Sequence, residues 1–284
     1  MTALETEHEL LGAWSLETSK RFWEGFAPSA LSASMGAGEI RAVFLSDTDW
    51  TRVDAVVTEN AGSVRIAVAG PGDLHAATHQ VRRFLSLDID ARAWPEVGDR
   101  DPVIGDAQRR LPGFRPCGFY SPYEAAVWAV LSQRIRIRQA SVLKADVVAA
   151  FGENGAFPTP AALRGLDLDL PGRKLEYLHA VADAAAAGLL SGSRLRSLAP
   201  DEALRQVQSI TGLGPFASEL VVIRGANFPD VMPGNEPRLE REMVELYGPQ
   251  RTSAEISDAW RPFRAWAGVH LRALRELRTG EIAG

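Results

Sequence analysis

Residues 204–241, LRQVQSITGLGPFASELVVIRGANFPDVMPGNEPRLER, hold the densest set of turns and side chains in this chain that can do chemistry. Leu204, Val207 and Ile210 recur at three-residue spacing, and Leu220 and Ile223 resume an apolar face after Gly212-Leu213-Gly214-Pro215, which is helical periodicity on both sides of a turn. Glycine supplies left-handed or closely packed backbone, and Pro215 suits a first helical position, where its missing N–H would be unpaired anyway. The turn therefore presents a helix N-terminus, whose free amides and dipole hold a phosphate without a basic side chain. GLGPFA also fits a loose dinucleotide-binding pattern, but that pattern requires a strand before its first glycine and here a helix precedes it. A loop carrying a carboxylate follows, so one short stretch combines a phosphate grip with an acid.

Other reactive residue types are sparse. Arg134, Arg136 and Arg138 cluster, as do the arginines between 261 and 278, which suits phosphate contact or a solvated helix face equally. His75 and His79 stand at a spacing that can chelate a metal, but without an acidic or cysteine partner and without HExxH they read as structural or solvent-facing. The single cysteine, Cys117, excludes an intramolecular disulfide, a four-cysteine iron–sulfur cluster and a cysteine-rich zinc site. A net charge of −5 argues against a protein that coats DNA non-specifically. It leaves room for a grip made of backbone amides and local arginines, and also for a helical protein unrelated to DNA.

The elements that must position these residues follow from patterning. A hydrophobic content of 46% in 284 residues supports a substantial core, in one large domain or two ordinary ones. With no basic region leading into an apolar run, and no apolar run near about eighteen residues, a cytoplasmic protein without a membrane segment is expected. The first ten or so residues, rich in Glu and Thr, read as a loose terminus, with order beginning near Trp14. Alternating or β-branched runs at 39–46, 52–58 and 63–69 predict an antiparallel sheet, the last two joined by Glu59-Asn60-Ala61-Gly62. Pro71-Gly72-Asp73 caps a helix to about Leu87, and 94–115 reads as a linker. Beyond it, helices are expected at 122–131 and 139–151, from Ala161, through an alanine-rich stretch to Leu190, and over 260–278 as one helix or a pair. The class is α+β: a small N-terminal antiparallel sheet-plus-helix domain with linker over 1–110, then a helical domain over 111–284 with its hairpin at about 204–224.

SITGLGPFASELVVIRG resembles the helix-hairpin-helix of the base-excision DNA glycosylases, and the loop after it falls where that superfamily places its catalytic aspartate. Within the superfamily the likeness is greatest to 3-methyladenine DNA glycosylase II, supported by Leu131-Ser132-Gln133, by FPTPAAL and by WRPFRAWAGVHL. It is strong from about 111 to 277 and diffuse before that. The resemblance implies an all-α core of two subdomains with a DNA-facing cleft, behind the small sheet domain. It also implies a monofunctional enzyme of base-excision repair that hydrolyses the N-glycosidic bond of a damaged, alkylated purine in double-stranded DNA, working as a monomer.

Residue by residue, the resemblance places the DNA grip on Gly212, Leu213, Gly214, Pro215, Phe216 and Ala217. The wedge that fills the gap left by a flipped nucleotide falls in the turn of Gln133, Arg134 and Ile135: an apolar wedge replaces stacking without a desolvated charge, and an arginine can stack its planar head. Glu236 occupies the position of the catalytic aspartate, with Asn235 where a second acidic residue is often found. An anion there stabilises oxocarbenium character in the sugar and helps water attack. The extra methylene moves the carboxylate by about one C–C bond, and Pro237 restrains the backbone. Asp230 is an alternative carboxylate, out of register with the motif. Phe216 stands where bifunctional relatives carry a nucleophilic lysine, so no Schiff-base step is implied. The base-pocket positions are Phe119, Tyr120, Phe216, Leu220 and Arg272, the last in place of a tryptophan; an indole stacks on a cationic base and an arginine repels it. Backbone carbonyls of Gln208, Ile210 and Leu213 correspond to those that bind Na+ or K+ in the family, and no other cofactor is implied. Two outcomes stay open, a working enzyme and a weak or inactive paralogue that binds damaged or distorted DNA.

Overall fold

The computed structural model describes residues 2–25, 38–168 and 170–280; Met1 and the stretch 281–284 of the expected helical domain lie outside them. The chain opens with β1 (Thr2–Glu9), α1 (Leu16–Gly25), β2 (Glu39–Leu45), β3 (Arg52–Asn60), β4 (Ser63–Gly70) and α2 (Leu74–Phe84). The strands form one antiparallel sheet in the order β1-β4-β3-β2. Alternation puts Val53, Ala55 and Val57 of β3 and Val64, Ile66 and Val68 of β4 on the inner face, in one core with Ala77, Val81 and Phe84 of α2. Asp73 caps α2 by accepting from the N–H groups of His75 and Ala76.

Two expectations for this region are corrected. The first residues are a strand, with Thr2 opposite Gly70 and Glu9 opposite Ser63. Glu5, Glu7 and Glu9 are exposed, as charges on an edge strand usually are, while Leu4 packs against the core. The backbone ladder holds β1, and its charged face hides the alternation. Nor is 94–115 a linker, because it forms α3 (Trp94–Arg100) and α4 (Pro102–Arg110). Pro95 and Pro102 lie in first turns, where a missing N–H costs nothing. Gly98 and Gly105 let the two helices touch, since a Cβ on Gly98 would come 2.9 Å from the Gly105 Cα.

The helical part continues with α5 (Pro122–Leu131), α6 (Ile137–Phe151), α7 (Pro160–Arg164), α8 (Lys174–Ala186), α9 (Gly192–Arg196), α10 (Pro200–Gln208) and α11 (Pro215–Leu220), which a π-helical turn, Val221–Gly225, extends. These elements share one core around α5, every residue of which is buried. A second core joins α12 (Pro237–Tyr247), α13 (Ser253–Ser257) and α14 (Arg264–Thr279) to α3 and α4 through Trp94, Leu239, Trp260 and Trp266. The alanine-rich helix stops at Ala186, short of the expected Leu190, and the expected helix over 260–278 is a short 3-10 turn, Asp258–Trp260, followed by α14. The chain crosses between the two helical cores over 226–236, and this crossing carries the candidate carboxylate.

Polar anchors tie the parts together. The guanidinium of Arg115, a buried residue, donates to the carbonyls of Leu11, Gly12, Ala13, Ser86 and Ile89 and lies 6.0 Å from the centre of the Trp266 ring. Asp47, just after β2, pairs with Arg83 of α2 at 2.6 Å and accepts the Gly192 N–H at 2.7 Å, which docks the sheet domain on α9. Buried charges of this kind persist only when they are paired or hydrogen-bonded: all three guanidinium nitrogens of Arg115 donate, and Arg83 pairs through Nη2 while its Nε stays buried without a partner among the described residues.

Candidate active site and DNA interface

The hairpin is built by α10, its glycine turn and α11. Leu213 donates its N–H to Ile210 O at 3.0 Å, and Gly212 takes a φ of +93°. The ring of Tyr177 lies beneath it, so that a Cβ on Gly212 would fall 2.3 Å from Tyr177 Cγ. Leu213 and Ala217 are buried anchors, whereas Gly214, Pro215 and Phe216 are exposed. The amide end of α11 therefore faces solvent. The turn after α5 joins this surface, because Gln133 donates from Nε2 to Gly212 O at 2.9 Å. Of the two wedge candidates, Arg134 is exposed with a φ of +56°, and Ile135 packs partly against the helical core.

The carboxylate sits where the crossing enters α12. Glu236 is the N-cap of that helix, its φ of −100° and ψ of 97° being the extended backbone that a following proline favours. Its Oε1 accepts the Arg238 N–H at 3.0 Å, and its Oε2 lies 3.5 Å from Nε of Arg272 on α14. Asn235 is held by Glu219 of α11, which accepts its main-chain N–H at 2.9 Å and its side-chain amide at 2.7 Å. Glu236 also borders a cavity of about 280 Å³ together with Met232, Pro233, Leu239, Glu240 and Met243. Asp230 is committed elsewhere: it pairs with Arg264 at 3.0 Å and Arg261 at 3.3 Å and accepts the Arg264 N–H at the start of α14.

No family model matches the chain. A Bacillus subtilis protein named DNA-3-methyladenine glycosylase is 28% identical over 212 residues, which is 67% of this chain and 69% of the relative. A Mycobacterium tuberculosis protein named "Probable bifunctional transcriptional activator/DNA repair enzyme AlkA" is 31% identical over 215 residues, 70% of this chain and 42% of the relative, so this chain spans less than half of that protein's length. The solved 3-methyladenine DNA-glycosylase from Archaeoglobus fulgidus superposes with a TM-score of 0.74 at 19% identity, over 96% of this chain and 98% of that one. The chain belongs to the helix-hairpin-helix DNA glycosylase superfamily. The shared fold takes in the sheet domain as well as both helical cores, since the superposition spans nearly the whole chain. The superfamily's hairpin is here α10, the glycine turn and α11.

Not every residue assigned to the superfamily's base pocket meets at Glu236. Phe119 is wholly buried in the helical core. Tyr120 turns to the sheet domain, stacked on Phe44 with centroids 5.5 Å apart and set edge-on to Phe84. The backbone dictates this: Gly118 N–H bonds to Phe84 O at 2.7 Å and Phe119 N–H to Arg224 O at 2.8 Å, which leaves the two rings pointing into opposite cores. Neither lines the cavity beside Glu236. Leu220 is half-buried against the helical core, and Phe216 lies on the outer face of the hairpin, 46% exposed. Arg272 alone of the five touches the carboxylate. Glu219 escaped sequence reasoning because its partner lies on another element, with no local spacing to reveal it.

His75 and His79 are exposed, and the described residues contain no group of three metal-ligating side chains. At the hairpin, Ile210 O accepts one N–H, and a carbonyl oxygen has a second lone pair. That chemistry fits a monovalent cation.

Proposed function

We propose that the chain is a monofunctional DNA glycosylase of base-excision repair, hydrolysing the N-glycosidic bond of damaged, alkylated purines in duplex DNA. One observation carries the reading: Gln133 ties the Arg134 turn to the glycine turn of the hairpin, and Glu219 ties the Glu236 loop to the helix that follows that turn. Phosphate grip, wedge and carboxylate thus share one framework. In this reading the amides that open α11 take a backbone phosphate, and Arg134 fills the gap in the stack. The extruded nucleotide brings its anomeric carbon to Glu236. As the bond to the base breaks, its electron pair leaves with the base and the sugar gains positive charge, which the carboxylate stabilises. Water adds its oxygen to that carbon and passes a proton to Glu236, and a base that leaves as an anion takes up that proton in turn. The products are free base and an abasic site. Phe216 offers no amine, so no lyase step follows.

The names of the Bacillus and Archaeoglobus relatives, both 3-methyladenine glycosylases, support an alkylated purine as substrate. A monovalent cation on the carbonyls of Gln208, Ile210 and Leu213 would steady the turn against a phosphate. No helix among the described residues is long and apolar enough to cross a membrane. A monomer acting on DNA in the cytoplasm completes the proposal.

The engagement of Glu236 by Arg272 favours a second reading, a paralogue that binds damaged duplex without excision. The deciding experiment incubates the chain and Glu236→Gln with duplexes containing methylated or deaminated purines and counts abasic sites. Base released by the wild type alone supports the enzyme. Tight binding without release across a broad panel supports the paralogue, and equal release by the variant removes Glu236 from the chemistry. Failure to bind any duplex at low salt ends both readings.

A further inference from the structure

Arg272 extends from α14 onto the carboxylate that the proposed chemistry needs. Nε lies 3.5 Å from Glu236 Oε2, and the two side chains are 14% and 24% exposed, so each is partly accessible to a ligand although Nη1 of the arginine is buried. The Arg238 N–H holds the other carboxylate oxygen at 3.0 Å, which means Glu236 cannot turn away from Arg272 without giving up its helix cap. A sugar whose anomeric carbon meets Glu236 brings its base into the immediate reach of the guanidinium, because the base hangs from that same carbon.

This changes which base the site welcomes. A lone carboxylate would attract a ring-quaternised, cationic purine. A carboxylate already paired with a guanidinium has lost that attraction, and the guanidinium adds repulsion of its own together with a planar fork of N–H donors suited to acceptor atoms. We propose that Arg272 is a specificity-determining residue that turns the site toward neutral lesions with acceptor atoms on the purine edge, such as hypoxanthine or an etheno adduct, and away from ring-quaternised methylpurines. The proposal rests on the glycosylase reading above and moves its substrate from ring-quaternised purines to uncharged alkylated and deaminated ones.

Binding to uncleavable substrates tests it without depending on catalysis. Duplexes carrying 2′-fluoro-2′-deoxyinosine or 2′-fluoro-7-methyl-2′-deoxyguanosine, in which the fluorine blocks loss of the base, are titrated with the full chain, each against its undamaged counterpart. The inosine duplex is expected to gain about tenfold more affinity over its counterpart than the methylated duplex does, the scale of one partly screened charge contact. Arg272→Gln, which keeps N–H donors and loses the charge, brings the two gains together; Arg272→Lys preserves the difference. An equal or larger gain for the methylated duplex in the wild type overturns the selectivity, whether or not a variant folds. A preference that survives Arg272→Gln overturns the role of Arg272. Absence of binding to every duplex overturns the glycosylase reading, and this proposal with it.

Discussion

Glu219 grips Asn235 with both carboxylate oxygens, one on the main-chain N–H and one on the side-chain amide. The helix that opens at the phosphate grip therefore also holds the residue next to Glu236, and grip and carboxylate move as one piece. Displacing a reacting group by about 1 Å can cost about 10²-fold in rate. Glu219→Ala is expected to lower the single-turnover excision rate by roughly ten- to a hundredfold while leaving duplex affinity within about twofold. Glu219→Gln, which keeps one acceptor, should recover part of the rate. A loss of affinity that matches the loss of rate would show that Glu219 supports the grip alone.

Gly212 combines a φ of +93° with a tyrosine ring beneath it. Gly212→Ala must strain the backbone and displace Tyr177 together, at a cost of about 1–3 kcal/mol for the backbone alone. Affinity should fall alike for damaged and undamaged duplexes, since the turn meets phosphate and not base. Titration of both duplexes, with helical content followed by circular dichroism, checks this.

Arg115 gathers five carbonyls from two separate chain segments and stands over Trp266. Arg115→Met keeps much of the bulk and leaves the carbonyls of Gly12, Ala13, Ser86 and Ile89 without the arginine donor, while Leu11 O keeps the Ala91 N–H; each buried group left unpaired costs about 1–3 kcal/mol if water cannot replace the donor. A loss of at least about 3 kcal/mol in urea unfolding is expected, without a change in lesion preference in whatever fraction stays folded.

His270 lies wholly buried between the rings of Trp94 and Phe114, its Nδ1 2.8 Å from the Trp266 carbonyl, so the neutral ring carries its proton on Nδ1. Burial pushes its pKa down from the ordinary 6.5 to about 4. Between those values the unfolded chain binds a proton that the folded chain refuses. Its contribution is therefore complete above about pH 6.5, declines as pH falls toward 4 and levels off below, for a total on the order of 3 kcal/mol. His270→Phe should flatten this part of the stability profile, and urea unfolding at pH 7.5, 5.5 and 4.5 reads the difference.

Signals confined to a few neighbouring residues were legible in the chain itself. The alternation of β3 and β4, the Asp73 cap, the Gly212–Pro215 turn and the apolar run of α5 all lie within one element and its ends. β1 was missed because an edge strand keeps charges on its open face, and α3 and α4 because their prolines and glycines read as breakers. In place, Pro95 and Pro102 start helices, and Gly98 and Gly105 are the contact between them. At the site, the resemblance named Glu236 and Arg272 separately. That they form an ion pair depends on how α14 packs beside α12, and the engagement of Glu219 with a loop sixteen residues further on depends on how the crossing folds back onto α11. Tyr120 turned away for the same reason: a hydrogen bond from its neighbourhood to another element decides which core receives the ring.

The π-helical turn over Val221–Gly225 bears on how this chain is to be compared with others. Ala226 N–H reaches back five residues to Val221 O at 2.9 Å, so the helix accommodates one residue more than a regular turn would. Removing a residue here would restore the ordinary ladder and rotate all that follows by about 100°. The direction in which the chain leaves toward Glu236 is thus a matter of counting. An alignment to a relative whose helix lacks the bulge must open a one-residue gap before the crossing, or it will match Asn235 and Glu236 to the wrong neighbours.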